Sequence, residues 1–173
     1  NYPTYDEVKE DVLWLRSHWK YLRLYDCDEH AGTVLHVIRN EKLDFKLMMG
    51  AYIEAEMNNF GCPWGSGVYE EEQLEINRKK NDKKIEQLIE WANEFPEIIF
   101  SLSVGNEACV DWTDHYVPVN RVIEFTKKVK KYTKQPVTFC ENYVPWLNKL
   151  EPLADVVDFI SIHTYPVWEN KHI

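Results

Sequence analysis

No glycine-rich phosphate loop occurs in the 173 residues: neither GxGxxG nor GxxxxGK followed by Ser or Thr is present. That argues against a doubly wound nucleotide binder, whose first turn needs glycine where backbone approaches phosphate. No apolar run approaches the roughly 18 residues of a membrane span. Basic charge is also short, with 20 Lys and Arg against 29 Asp and Glu and a net charge of −9. The basic clusters around Arg78 to Lys84 and Lys127 to Lys131 fall on helical patterns flanked by acids, so they read as solvated faces. Nucleic acid, which calls for clustered cations, is therefore not an expected partner. Cysteine is scarce: Cys27, Cys62, Cys109 and Cys140 show no CxxC pairing and no zinc-type spacing with histidine. Three of them lie in or just after predicted strands, where a free thiol acts as a small buried hydrophobe. No metal and no cofactor is expected, and the redox compartment stays open. An initiator Met and a secretory signal pattern are missing at Asn1, so a processed chain or a fragment is expected.

What is present is a regular alternation of helical and strand patterns, without a linker or low-complexity break. Hydrophobic residues make up 45% and aromatics 14%, enough for a sizeable core. Thr4 and Glu7 have capping-box spacing ahead of Val8, Val12 and Leu15. Strands are predicted over 20–26, 45–53, 98–104, 135–140 and 156–162. Between them run a helix carrying Val34, Leu35, Val37 and Ile38, and a long one over 70–93 with Ile85, Leu88, Ile89 and Ala92 inward. Val122, Phe125 and Val129 mark the next, and a short helix is expected over 146–154. Such alternation implies right-handed crossovers and a parallel sheet.

Every predicted strand ends in a polar or aromatic burst. These are Tyr25-Asp26-Cys-Asp28-Glu29-His30, Tyr52-Ile-Glu54-Ala-Glu56, Asn106-Glu107, Glu141-Asn142-Tyr143 and His163-Thr-Tyr165. Five strand ends feeding one polar rim is the pattern of a (β/α)8 face, so an α/β TIM barrel is the expected fold. A whole barrel takes about 250 residues. Residues 1–173 are therefore expected to form a single, incomplete barrel domain holding the second to sixth strands. One strand would precede Asn1 and two βα units would follow Ile173.

The sharpest local signal is Ser101-Leu-Ser-Val-Gly-Asn-Glu-Ala108. An unbroken apolar run suits a parallel strand buried on both faces, and it delivers an amide and a carboxyl just beyond a glycine. Glu107 can then serve as a proton donor while Asn106 holds a substrate hydroxyl. The bland alternative is a solvated Glu and a turn-forming Asn. Trp112 and Trp168 follow strand ends, where a flat ring can stack on a sugar face, whereas Trp14, Trp91 and Trp146 read as core.

Three motifs in order, Tyr-Leu-Arg-Leu-Tyr-Asp (21–26), Ser-Val-Gly-Asn-Glu (103–107) and Ile-His-Thr-Tyr-Pro (162–166), resemble glycoside hydrolase family 17. These are β-1,3-glucan hydrolases and transglycosylases built on a (β/α)8 barrel. The resemblance runs through essentially the whole chain and is closest to bacterial-type members, which carry a segment like Asp-Trp-Thr-Asp-His (111–115) after the Glu. It implies a retaining mechanism in which two carboxyl groups stand about 5–5.5 Å apart. On this resemblance Glu107 is the acid/base and Asn106 binds the sugar 2-hydroxyl. Tyr165 orients the nucleophile, and Tyr25 and Asp26 line the sugar floor. The nucleophilic Glu would lie on strand seven, beyond Ile173. Glu141 and Asn142 are expected as substrate contacts or rim residues, and His163 as a partner of sugar or of Glu107. The implied partner is a β-glucan oligo- or polysaccharide, and the implied compartment extracytoplasmic. Two rivals stand beside this reading: a β-glucan-binding protein without turnover, and another retaining glycosidase such as a β-mannanase.

An open five-strand barrel segment leaves apolar edges and faces uncovered, which favours self-association. Residues 1–173 prepared alone are expected to be oligomeric or poorly soluble. Light scattering and a thermal melt showing monodisperse, cooperatively unfolding monomers would contradict this.

Overall fold

The computed structural model describes residues 2–168. The order is α1 (Tyr5–Leu15), β1 (Tyr21–Leu24), α2 (Glu29–Asn40), β2 (Lys46–Ala51), α3 (Glu71–Glu94), β3 (Ile99–Asn106) and α4 (Val119–Tyr132). Then come β4 (Val137–Asn142), α5 (Tyr143–Asn148), α6 (Glu151–Ala154) and β5 (Ser161–His163). All four strand pairings are parallel, and spatial order equals chain order. A doubly wound sheet must reverse its order at a switch point, and none exists among the described residues. The sheet winds one way, as in a barrel, and the five strands form a half-barrel with helices between them.

Local chemistry explains the elements. Thr4 accepts from the Glu7 N–H, and the Glu7 carboxylate accepts back from Thr4, completing the capping box. Asp28 caps α2 through the Ala31 N–H. In α3 the buried positions Leu74, Asn77, Asn81, Ile85, Leu88 and Ala92 recur every three or four residues. The two Asn in that stripe are satisfied by loop backbone after β2: Asn77 donates to the Ala55 carbonyl, and Asn81 bridges the Glu54 N–H and carbonyl. Leu47, Met49 and Ala51 of β2 and Leu102 and Val104 of β3 are fully buried in the continuous core under the helices.

Three expectations need correcting. Trp14 is not core but 65% exposed, because it lies off the Val8–Val12 face that α1 buries. The helix expected over 146–154 is two short ones. Pro152 cannot donate to the carbonyl four residues back, so the chain restarts at Glu151 with proline in the first turn. The last strand begins at Ser161 rather than 156. Asp158 accepts from the Val137 N–H and pairs with Lys130, which also holds the Val156 carbonyl, so 156–160 is a turn tied to β4 and α4.

One distortion aims the site. The β3–β4 register shifts between Ser103 and Asn106, and within it Gly105 adopts φ +97°. A Cβ there would sit 2.8 Å from the Phe139 ring and 2.9 Å from Ile53 Cδ1. Replacing Gly105 with Ala therefore combines left-handed strain with overpacking and is expected to cost about 3 kcal/mol. Thermal denaturation should show a midpoint lowered by about 6–12 °C.

Candidate active site

Beyond Gly105 the chain turns sharply, and Glu107 itself takes a left-handed φ of +51°. Its N–H donates to the Cys140 carbonyl at 2.9 Å, tying the turn to β4. The carboxylate is then directed along the concave side, where His163 Nδ1 lies 2.8 Å from Oε1. The two side chains are only 15% and 11% exposed.

Arg23, the one charged residue of β1, joins the other members. Its Nη2 donates to Asn106 Oδ1 at 2.7 Å, and its Nη1 lies 3.0 Å from His163 Nε2. A guanidinium only donates, so Nε2 must accept, which leaves the proton on Nδ1 facing Glu107. The same logic makes the Asn106 oxygen the acceptor and leaves its NH2 as a donor. Contact with the Cys140 sulfur and then with the Glu107 carboxylate favours the imidazolium and pushes His163 up to about 9. A doubly protonated ring would point a proton at Arg23, so the two influences oppose each other. The 3.0 Å contact decides for the neutral ring while Arg23 holds that place. Beneath them, Ser103, Cys140 and Ser161 form a hydrogen-bonded row across β3, β4 and β5, with oxygen–sulfur distances of 3.1 and 3.2 Å. All four cysteines carry free thiols.

A hollow of about 600 Å3 opens over Glu107. Asn142, Tyr165, Trp112 and Trp168 line it, as do Pro63 and Trp64 from the loop after β2. Tyr165 has its phenol pKa raised by burial and then by the Glu107 charge. Trp112 and Asn142 also border a second hollow of about 450 Å3, toward Asn148 and Lys149. Trp146 packs inside, edge-on to Phe139, with its indole N–H on the Ser161 carbonyl.

Tyr25, Asn106 and His163 stand beside this hollow rather than in its wall. Tyr25 is exposed and carries the Arg23 guanidinium over its ring at 4.2 Å. Asp26 does not line a sugar floor. Its Oδ1 accepts from the Cys27 and Tyr52 N–H groups, and its Oδ2 pairs with Lys84 at 2.6 Å, fastening β1, β2 and α3 together. Glu141 is neither a rim residue nor an exposed substrate contact. It is 0% exposed, its Oε2 accepts from the Cys109 N–H and its Oε1 from the Asn142 N–H, both at 2.7 Å. Burial pushes its pKa up to about 7, with the Glu107 charge adding to the shift and the two N–H groups opposing it. Glu56 is also turned inward, paired with Arg121 at 2.9 Å.

Sequence reasoning missed three contributors. Arg23 lies inside a quoted motif, and a lone cation in an apolar strand was its signal. His115 donates from Nε2 to the Asn106 carbonyl at 2.9 Å and has the Tyr52 hydroxyl 3.0 Å from Nδ1. Trp64 sits in an aperiodic loop and gave no signal.

Polar groups gathered at the C-terminal ends of parallel strands, over an aromatic-walled hollow, define a barrel of the (β/α)8 class. Comparisons with known proteins agree. An endo-laminarinase from Formosa Hel1_33_131 superposes with a TM-score of 0.80 at 25% identity, over 97% of this chain and 47% of that one. A glycoside hydrolase family 17 β-1,3-glucanosyltransferase from Rhizomucor miehei gives a TM-score of 0.68 at 17% identity, over 96% and 54%. A β-glucuronidase from Parabacteroides merdae gives 0.56 at 15% identity, over 94% and 18%. The chain spans about half the length of the first two. No family model and no curated protein matches it. The fold is thus family 17-like, and its structural neighbours include an endo-laminarinase and a β-1,3-glucanosyltransferase.

Removing the Asp26 carboxylate tests its reassignment. Asp26→Ala leaves two backbone N–H groups and Lys84 without an acceptor, at an expected cost of about 3 kcal/mol. Chemical denaturation should register that loss.

Proposed function

We propose that the chain carries the acid/base half of a retaining glycosidase acting on β-1,3-glucan. The observation that carries this reading is Glu107: a largely shielded carboxyl, one oxygen on His163, facing a hollow walled by Trp64, Trp112 and Trp168. Flat apolar rings suit pyranose faces, and their polar neighbours suit the hydroxyl rim. The likeness to an endo-laminarinase at 25% identity supports β-1,3-glucan over other sugars.

The chemistry follows from the neighbours. Protonated Glu107 gives its proton to the glycosidic oxygen as a nucleophilic carboxylate attacks the anomeric carbon, through an oxocarbenium-like transition state. The Asn106 NH2, set by Arg23, donates to the sugar 2-hydroxyl, a contact that tightens as charge develops. Glu107 then takes a proton from the incoming water or sugar hydroxyl as that oxygen bonds to the anomeric carbon and the nucleophilic carboxylate leaves it; which of the two arrives decides between hydrolysis and transglycosylation. The nucleophile is assigned to a Glu on a later strand of the full-length protein. Glu141 does not take that part, since both its oxygens hold backbone N–H groups below the surface. A glucan-binding role without turnover is the second reading, favoured by Glu107 being the single carboxylate among the described residues that line the hollow.

Assays of the full-length protein on laminarin and mannan separate these readings. Laminarin breakdown is expected, with Glu107→Gln losing about 10^3-fold in turnover while keeping laminari-oligosaccharide affinity. Unchanged turnover would remove Glu107 as the acid, and binding without breakdown would establish the second reading.

A further inference from the structure

We propose that Glu141 is a positioning residue for Glu107: its buried carboxylate fixes the turn that aims the proton donor. The inference rests on the glycosidase reading above and deepens it.

Glu107 lies outside regular structure, at the start of the stretch that runs from β3 to α4. A non-glycine residue at φ +51° persists only where its surroundings hold it. The fastening comes from consecutive residues of β4. The Cys140 carbonyl takes the Glu107 N–H at 2.9 Å, and the Glu141 carboxylate takes the Cys109 N–H at 2.7 Å. Alternate amides of the turn are thus captured by neighbouring residues of the adjacent strand. The other Glu141 oxygen takes its own strand's Asn142 N–H at 2.7 Å, which fixes the carboxylate plane. Farther along, Val117 N–H donates to the Ala108 carbonyl at 2.8 Å, closing the loop on itself.

The two N–H groups are taken by different oxygens, and a carboxylate supplies both. Gln offers one oxygen and would set its NH2 against the second N–H. The bland alternative is a buried fold stabiliser with no bearing on catalysis. The two separate on the kind of step affected. A misaimed Glu107 harms proton donation to a poor leaving group, whereas loss of folded protein harms all turnover equally.

The test uses the full-length protein, its Glu141→Gln and Glu141→Ala variants, and Glu107→Gln as reference. Substrates are laminari-oligosaccharides, whose leaving sugar needs a proton, and 2,4-dinitrophenyl β-laminaribioside, whose leaving group does not. Glu141→Gln is expected to lose about 100-fold in kcat on the oligosaccharides with KM little changed. On the dinitrophenyl substrate its kcat/KM, which reports the first step alone, should fall no more than about 3-fold, the pattern of Glu107→Gln. Amide hydrogen exchange over 107–109 should quicken in Glu141→Gln while the α3 amides keep their protection. If Glu141→Gln is poorly folded, the ratio of the two activities in the soluble fraction of either variant still separates misaiming from loss of folded protein. Parallel losses on both substrates, or unchanged exchange over 107–109, would overturn the inference and leave the glycosidase reading standing. A wild-type protein that turns over neither substrate would end that reading, and the inference with it.

Discussion

The site depends on the slip between β3 and β4. Where β3 shifts register against β4, Gly105 and Glu107 both enter the left-handed region, and the strand end turns toward the concave side. A regular continuation would alternate side chains across the sheet and could not bring Asn106 and Glu107 to one side together. Ordinary L-residues resist this geometry, so the structure hems it in. Phe139 and Ile53 leave no room for a Cβ at 105, and β4 takes the N–H groups of 107 and 109. The placement of Glu107 is thus a property of the β3–β4 seam as much as of the side chain.

Charge explains why the concave side is arranged as it is. Arg23 cannot shed its proton, and a shielded guanidinium requires acceptors and nearby negative charge. Asn106 and His163 supply the acceptors, and His163 passes the polarisation on to Glu107 through its Nδ1 proton. Each partner's orientation is decided by what the next can accept, so one cation on β1 sets an amide on β3 and an imidazole on β5. His115 sets the Asn106 backbone from the other direction.

Periodicity made the frame legible, because buried parallel strands and amphipathic helices must write their burial into the chain. The unbroken run before Asn106 shows this, as does the Ile85, Leu88 and Ala92 face of α3, whereas Asn77 and Asn81, buried to answer loop backbone, do not stand out in the chain. Direction was not legible. Asp26 and Glu141 end strands just as Glu107 does, and only packing reveals that one fastens helix to sheet while the other is interred. Nor do residues 156–160 announce that Asp158 will bind β4 backbone and shorten the final strand. A letter states which groups a residue carries, and its neighbours in space decide whether those groups remain unclaimed.

That distinction ranks the carboxylates at the strand exits. Asp26 gives one oxygen to two N–H groups and the other to Lys84. Glu141 gives one oxygen to each of two N–H groups and meets no solvent. A carboxylate so committed cannot approach a ligand without giving up the hydrogen bonds that hold the fold around it. Glu107 has a single side-chain contact among the described residues, from a histidine whose own proton is fixed by Arg23, and it faces the hollow. Proton transfer needs a carboxyl that is held but not consumed, with one oxygen oriented and the other open. Of the three, only Glu107 is held in that way.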